Sequence, residues 1–319
     1  MSKIGLLERL SQGPVMGDGS MVLRLREVGQ RYGLTPEQAH RSGPMNVEHP
    51  DVVEIVHREY LEAGSELILT NTFHVTPYLL ERWKVTYGTD RMVRAATKIA
   101  RRVAGDRAWV LGDIGPPRVV EPLDDDALRA FHSNQARVLL DGGVEGIIIE
   151  YIADPRELKI AVEAARQASD GPVIATPVFG KTPEGEYRTP MPSPDGRRTW
   201  GPDLEAMVRI AIDAGADIVG THCGQGFDIG DYEAMAKRIV ALSDRPVIMQ
   251  PNGDEHQCPL EPGLSKRDAL IRAVPRLLDA GVSIIGGCCG VRADDLRAMG
   301  RAMTQWCQDR GLDVAGIKE

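Results

Sequence analysis

Three cysteines are spaced along the chain so that one metal ion could bind them together. Cys223 follows an apolar run at 218–219, and Cys288-Cys289 follows another at 283–285, with glycines on both sides of the pair. Zinc binds thiolates tetrahedrally, and three protein ligands with one open position are typical of catalytic sites. Adjacent cysteines are not a standard zinc spacing such as C-x2-C, and free cysteines often serve as small buried hydrophobes. The spacing therefore leaves a zinc site and a packing role as alternatives.

Polar side chains follow the other apolar runs in the same way. These segments are Asp18-Gly19-Ser20, Asn71-Thr72-Phe73-His74, Asp113, Glu150-Tyr151, Thr221-His222-Cys223 and Gln250-Pro251-Asn252. In a barrel of parallel strands, catalytic residues come from the carboxyl ends of several strands. We therefore expect these side chains and the cysteine pair to converge on one face of the fold.

The segments that must position these site residues form a regular series, in which short apolar runs alternate with helical patterns. The eight runs lie at 15–16, 67–70, 109–111, 147–149, 173–175, 218–219, 247–249 and 283–285, and helices are predicted at 51–63, 91–103, 125–140, 156–168, 202–214, 232–242, 266–280 and 293–306. Nearly continuous apolar runs suit parallel strands buried on both faces. The pattern predicts an α/β protein, a single (β/α)8 TIM barrel over residues 1–319, with its site at the carboxyl ends of the strands.

Two connections stand out by their length. Residues 24–49 follow the first predicted strand, and residues 179–201, rich in Pro and Gly, follow the fifth. Long connections inside a compact domain are usually functional or disordered, and in a barrel they would cover the active-site face. We interpret the second as a lid. The polar tail at 308–319 is expected to fray.

Composition excludes several classes of function. The 319 residues carry 38 basic and 46 acidic side chains, a formal net charge of -8, which argues against a nucleic-acid partner. No apolar run approaches the roughly 20 residues that a membrane span requires. The first residues lack an export signal, so the cytoplasm is the expected location. Five cysteines are too few for a disulfide framework, and we expect Cys258 and Cys307 to be structural.

The cysteine segments resemble the homocysteine S-methyltransferase family. The most specific match is Ile284-Ile285-Gly286-Gly287-Cys288-Cys289-Gly290, paired with Gly220-Thr221-His222-Cys223, and further similarity lies in Gly17-Asp18-Gly19, in 49–73 and at Glu150. The similarity spans nearly the whole chain. It implies a Zn2+ ion held by Cys223, Cys288 and Cys289, with the homocysteine sulfur as the fourth ligand.

The resemblance also implies roles for the polar residues around the cysteines. Asp18 and Glu150 would receive the substrate ammonium, and backbone N–H groups near Gly19 would receive its carboxylate. Asn71 and Thr72 would orient ligands. Glu150-Tyr151 is similar to a Glu-Tyr pair of the betaine-dependent branch, and His74 stands where that branch has a tyrosine, so both Tyr151 and His74 are assigned to the substrate site.

The methyl donor does not follow from the resemblance. Betaine and S-methylmethionine both present an onium cation, which aromatic faces can bind. The chain is only 5% aromatic, which restricts the candidates to Phe73, Tyr78, Trp83, Tyr151 and Trp200. Other departures border the thiol site. Ser20 interrupts the glycine-rich start, and His222 stands where the family commonly has Asn, either as a donor to a thiolate or as a packing histidine.

Three functional hypotheses follow. The first is a zinc-dependent methyltransferase that makes methionine from homocysteine and a small onium donor. The second exchanges a methyl group between a thiol and a corrinoid or folate carrier on a separate protein. The third is a barrel that binds zinc or thiols without turnover, although Asp18 and Glu150 beside the cysteines argue against mere storage. The sequence does not decide between a monomer and a homo-oligomer.

Overall fold

The computed structural model describes residues 3–118, 122–192, 198–224, 226–254, 261 and 263–312. Within these ranges the strands are β1 Val15–Met16, β2 Leu67–Leu69, β3 Trp109–Ile114, β4 Gly146–Glu150, β5 Val173–Thr176, β6 Gly180–Lys181, β7 Tyr187–Pro192, β8 Arg198–Asp203, β9 Ile218–Cys223, β10 Val247–Pro251 and β11 Ile284–Ile285. Eight of them form one parallel sheet in the order β1-β11-β10-β9-β5-β4-β3-β2. This nearly closed barrel confirms the predicted fold class.

Helices surround the sheet. They are α1 Leu6–Leu10, α2 Met21–Arg31, α3 Pro36–His40, α4 Ser42–Glu48, α5 Pro50–Glu62, α6 Pro77–Arg82, α7 Thr89–Ala104, α8 Asp125–Asp141, α9 Pro155–Ala168, α10 Leu204–Asp213, α11 Ile229–Val240, α12 Lys266–Asp279 and α13 Ala293–Gln308. The eight helices predicted between strands are present with bounds shifted by up to three residues. Among the described residues, no helix is long and apolar enough to cross a bilayer.

The seam between β1 and β2 closes the barrel without a regular ladder. The Glu66 N–H donates to the Met16 carbonyl at 2.8 Å, and the Ser65 hydroxyl donates to the Gly17 carbonyl at 2.9 Å. The Leu69 N–H donates to Oδ2 of Asp18 at 2.9 Å. A side-chain carboxylate therefore replaces a backbone acceptor, and this contact fixes Asp18 at the end of the first strand.

The barrel interior explains why polar groups gather at one end. Inward side chains form an apolar layer that includes Leu111, Ile148, Ile218 and Ile248, and Leu6 of α1 packs against the same cluster. Successive side chains of a strand point to opposite faces, so residues two positions further along a strand also point inward. By this alternation, the polar side chains at the strand ends also point into the barrel. They are Asp113, Glu150, His222 and Gln250.

Both long connections contain regular secondary structure that the sequence pattern did not predict. Residues 24–49 form most of α2 together with α3 and α4, where Leu25 and Val28 are buried and a Thr35 capping box starts α3. The second connection contains β6, β7 and β8 as an antiparallel sheet. The Tyr187 hydroxyl and the Lys181 ammonium both contact Asp231 of α11, at 2.8 and 2.7 Å. The sheet is therefore tied to the barrel, and its role as a lid stays a prediction.

Candidate active site

The three cysteines come together at the carboxyl ends of β9 and β11. The Sγ atom of Cys289 lies 3.8 Å from Sγ of Cys223 and 3.8 Å from Sγ of Cys288, and all three sulfurs lie within 4.8 Å of one another. Zinc–sulfur bonds of about 2.3 Å in a tetrahedron place the sulfurs about 3.8 Å apart. Both the donor set and the spacing therefore fit a zinc ion.

Local backbone geometry explains the glycines around the cysteine pair. A Cβ on Gly287 would lie 2.4 Å from Cγ1 of Val291, and Gly290 has a φ of +75° with its Cβ position 2.6 Å from the Gly253 carbonyl. Side chains at these two positions would collide with their neighbours, so the sequence G-G-C-C-G is what lets both thiols turn toward one point.

Cys223 is held in an unusual backbone conformation. Its φ is +60°, a left-handed value that non-glycine residues adopt at a cost. The buried Tyr232 hydroxyl donates to the Cys223 carbonyl at 3.0 Å and accepts the Asn252 N–H at 2.9 Å. These contacts fix the end of β9 so that the thiol of Cys223 faces the cysteine pair.

The thiols share protons among themselves. Hydrogen bonds from Cys223 and Cys288 lower the pKa of Cys289 to about 3, whereas burial raises the pKa of Cys288. One thiolate is therefore stabilised by its two protonated neighbours. A metal ion bound to all three would displace the remaining protons, because cysteine ligates as the thiolate.

Three buried carboxyl groups lie beside the cysteines. Burial, together with the charge of Glu150, raises the pKa of Asp18 to about 8. Burial and the neighbouring Glu150 and Asp18 also raise the pKa of Asp113 well above its ordinary value. Like charges this close cannot all ionise, so the carboxyl end of the barrel favours a positively charged ligand group.

His222 joins the carboxylates to the thiols. Its Nδ1 lies 2.7 Å from Oε1 of Glu150, and its Nε2 lies 3.0 Å from Sγ of Cys288. Burial opposes the charged imidazole, but the Glu150 carboxylate prevails and raises the pKa of His222. Of the two interpretations given for His222, the structure agrees with contact to a cysteine sulfur.

A cavity of about 360 Å³ opens over this cluster. The predicted site residues that line it are Asp18, Gly19, Asn71, His74, Glu150, Tyr151, Cys223, Cys288 and Cys289. Thr72 is not among the described lining residues. Its hydroxyl contacts the Thr70 hydroxyl at 2.7 Å and donates to the Asp113 carbonyl at 2.5 Å, so it braces β2 against β3. Cys258 lies outside the described residues, and Cys307 is buried in α13.

Asn71 and His74 are both tied to α4. The Asn71 amide donates to the Ser42 carbonyl at 2.8 Å and to Oδ1 of Asn46 at 3.0 Å. The Ser42 hydroxyl lies 2.9 Å from Nδ1 of His74. Burial and the nearby Arg118 and Arg26 lower the pKa of His74 to about 3, so its ring is neutral at physiological pH.

Two of the five aromatic residues that the sequence offers for binding the methyl donor lie in the cavity. Phe73 and Tyr151 both line it, with ring centroids 6.1 Å apart in an edge-on arrangement. Tyr78, Trp83 and Trp200 are not among its described lining residues. Burial, then the neighbouring thiols, raises the pKa of Tyr151 to about 12, so the phenol keeps its proton.

Among the cavity residues that sequence reasoning did not assign to the site are two strand-end residues and two arginines. Asp113 and Gln250 were noted as strand-end residues only, and the two-residue alternation of β3 and β10 would have pointed them inward. Arg26 and Arg118 also line the cavity, from α2 and from the segment after β3. No periodic signal places those two arginines.

Comparison with known proteins gives the family. Residues 15–303 match the family model described as Homocysteine S-methyltransferase, and the chain belongs to that family. Betaine--homocysteine S-methyltransferase 1 of Bos taurus is 31% identical over 324 residues, which cover 93% of this chain and 74% of that one. Methionine synthase of Mycobacterium leprae is 28% identical over 326 residues, and the chain spans only 25% of its length.

A solved structure supports the fold. The homocysteine methyltransferase MmuM from Escherichia coli, in its metallated form, has a TM-score of 0.71 at 19% identity. The alignment covers 93% of this chain and 98% of that one. At this identity the likeness shows a shared barrel architecture.

Proposed function

We propose that this protein transfers a methyl group from a small onium donor to the thiol of homocysteine, giving methionine, with zinc bound by Cys223, Cys288 and Cys289. The observation that carries the proposal is the spacing of the three sulfurs, which matches a tetrahedral zinc site on the wall of a cavity lined with carboxylates. Membership of the homocysteine S-methyltransferase family supports the choice of acceptor.

A zinc ion held by Cys223, Cys288 and Cys289 would keep a substrate thiol deprotonated at neutral pH. The chain contributes the geometry. All three cysteines line the cavity, and Cys289 is the least buried of them, so the cluster stays open to the cavity. His222, between Glu150 and Cys288, holds the orientation of the Cys288 side chain.

Asp18, Asp113 and Glu150 bind the ammonium of homocysteine. Burial, then the neighbouring Glu150 charge, raises the pKa values of Asp18 and Asp113, and an ammonium between the three carboxyl groups lets them ionise. The carboxylate of homocysteine binds backbone N–H groups near Gly19. A Cβ on Gly19 would lie 2.8 Å from the Val291 carbonyl, so this position accepts only glycine without a shift of the backbone.

The reaction forms the bond between the homocysteine sulfur and the methyl carbon. It breaks the bond from that carbon to the onium nitrogen or sulfur, whose electron pair leaves with the neutral amine or sulfide. Phe73 and Tyr151 offer ring surfaces to the onium centre, since both line the cavity. Positioning of the two reactants supplies much of the rate.

Methionine production tests the proposal. Zinc-loaded, reduced protein is incubated with homocysteine and, in separate reactions, betaine, S-methylmethionine, S-adenosylmethionine or dimethylsulfoniopropionate, and methionine is measured by mass spectrometry. Product with one donor supports the proposal and names the donor. Cys307→Ala, which removes a buried thiol outside the cavity, is the control and should keep full activity.

Absence of methionine with every donor, with zinc bound to the protein, would contradict the proposal. A methylated corrinoid or folate on a separate protein, the second hypothesis, would then be the donor to test, because methionine synthases are among the relatives. Zinc retention without any methyl transfer would favour the non-catalytic barrel.

A further inference from the structure

The loop that joins β1 to α2 is held at Asp18 and at Ser20 by different parts of the fold. Oδ2 of Asp18 accepts the Leu69 N–H at 2.9 Å, and the Asp18 carbonyl accepts the Gly287 N–H at 2.8 Å. These two contacts come from β2 and from the glycine pair that precedes the cysteines. The position of Asp18 therefore does not depend on the groups that hold Ser20.

Tyr60 of α5 and Val291 hold Ser20. The Tyr60 hydroxyl donates to the Ser20 carbonyl at 2.8 Å, and the tyrosine is 0% exposed. Burial raises the pKa of Tyr60 well above its ordinary value, so the phenol keeps the proton that this hydrogen bond needs. The Ser20 N–H donates to the Val291 carbonyl at 3.0 Å. Ser20 is therefore fixed through both of the peptide units to which it belongs.

Gly19 shows how closely these two groups approach the loop. A Cβ at this position would lie 2.8 Å from the Val291 carbonyl oxygen and 3.1 Å from Cε1 of Tyr60. The backbone of the loop is thus packed between the Tyr60 ring and the Val291 carbonyl, and it lacks the space to shift toward either of them.

The hydrogen bond from Tyr60 sets the direction of one N–H group. The Ser20 carbonyl and the Met21 N–H belong to the same peptide unit, which is planar and trans, so the two groups point in opposite directions. A carbonyl that points toward Tyr60 therefore directs the Met21 N–H away from it. Met21 is the first residue of α2, where N–H groups have no partner within the helix, and the Ser20 side chain does not cap them. Both Ser20 and Met21 line the cavity, so this N–H is available to a ligand there.

We propose that Tyr60 is a positioning residue for the acceptor: by holding the Ser20 carbonyl, it directs the Met21 N–H toward the carboxylate of homocysteine. This inference rests on the proposed methyl transfer. Asp18, which receives the ammonium, keeps its own contacts with Leu69 and Gly287. Tyr60 therefore acts on binding of the carboxylate and not on binding of the ammonium.

Two thiols that differ only in the carboxylate test the inference. Dissociation constants of homocysteine and of 3-aminopropane-1-thiol, which is homocysteine without its carboxylate, are measured by calorimetry on the reduced, zinc-loaded protein. The unmodified protein should bind homocysteine at least about tenfold more tightly than the amine thiol. Tyr60→Phe should weaken homocysteine about fivefold and 3-aminopropane-1-thiol less than about twofold, because the loop loses one hydrogen bond while the ring remains.

Thr97→Val is the matched control. The buried Thr97 hydroxyl donates to the Val93 carbonyl at 2.9 Å, so this variant also loses one buried hydroxyl and keeps the shape of its side chain. Thr97 is not among the described residues that line the cavity, and both dissociation constants should stay unchanged. Circular dichroism and zinc content show whether each variant folds.

Gly19→Ala perturbs the same loop without a change at Tyr60, and it decides the question if Tyr60→Phe does not fold. Its new Cβ must displace the backbone from the Val291 carbonyl. This variant should therefore also weaken homocysteine more than 3-aminopropane-1-thiol.

The inference is overturned if Tyr60→Phe binds homocysteine as tightly as the unmodified protein does. It is also overturned if the variant that folds weakens both thiols by the same factor, which is the result of a purely structural role, or if the unmodified protein does not prefer homocysteine over 3-aminopropane-1-thiol. Failure of the proposed function looks different, because binding of homocysteine would still depend on Tyr60 while no methionine forms.

Discussion

Substitution of Tyr232 by phenylalanine should weaken both the fold and the proposed zinc site. The Tyr232 hydroxyl donates to the Cys223 carbonyl at 3.0 Å and accepts the Asn252 N–H at 2.9 Å, and the residue is 1% exposed. Each lost hydrogen bond costs about 1 kcal/mol net, and stranding the buried partners adds to that, so the free energy of unfolding should fall by about 3 kcal/mol.

Zinc affinity should fall with it. Cys223 holds a φ of +60°, and its carbonyl is the group that Tyr232 anchors. Without the hydrogen bond from Tyr232, the Cys223 thiol can move away from the cysteine pair, and the sulfur–sulfur distance that fits zinc is lost. Loss of groups that orient metal ligands typically costs about 10-fold to 100-fold in metal affinity, and about tenfold is expected here.

Two assays measure these effects. Urea unfolding followed by circular dichroism gives the free energy of unfolding, and competition with a coloured chelator gives the zinc affinity. Tyr87→Phe is the control, because its hydroxyl contacts the Glu48 carboxylate at 2.7 Å on the exposed surface. That control should change stability by no more than about 0.5 kcal/mol. If Tyr232→Phe behaves like Tyr87→Phe in both assays, the reasoning about Cys223 is refuted.

Three further predictions concern the proposed zinc site, a buried histidine and the barrel. Cys289→Ala should lose zinc and methyl transfer together, because two thiolates hold zinc poorly. Metal analysis of the variant after dialysis, together with an activity assay, checks this. Full activity of the variant would contradict the zinc proposal. Burial lowers the pKa of His57 to about 4 from 6.5, so as pH falls through that window the unfolded chain binds the proton first and about 3 kcal/mol of stability is lost. Urea unfolding at pH 7 and 4.5 should show this loss as the difference in pH dependence between the unmodified protein and His57→Leu, since both share every other titrating group, and equal pH dependence of the two would contradict it. Gly220→Ala should not fold, because the new Cβ would lie 1.7 Å from the Ile248 carbonyl, whereas Gly5→Ala meets no atom within 4 Å and should fold; circular dichroism of the two variants decides.

The barrel was predictable because its signal is local. Runs such as 147–149 are buried on both faces and nearly continuous, which is typical of parallel strands. The helices within 24–49 were not predicted because α3 and α4 are each only a turn or two long. In addition, α2 buries only a narrow stripe at Leu25 and Val28. Short helices of this kind depend on tertiary packing more than on propensity.

The site was predictable only in part. Cys223 and Cys288 meet because β9 and β11 are both neighbours of β10, an order that follows once the chain is recognised as a barrel. The contact of His222 with both Glu150 and Cys288 depends on side-chain directions across the barrel mouth, and no sequence spacing encodes it. Arg118 lies after β3 in an irregular segment, so only the folded structure brings it over Phe73.

Zinc K-edge X-ray absorption of the zinc-loaded protein, recorded with and without homocysteine, tests the proposed site most directly. Cys223, Cys288 and Cys289 should give three sulfur neighbours at about 2.3 Å, and homocysteine should raise the count to four. A spectrum with fewer than three sulfurs, or one that homocysteine leaves unchanged, would contradict a zinc centre that receives the substrate thiol.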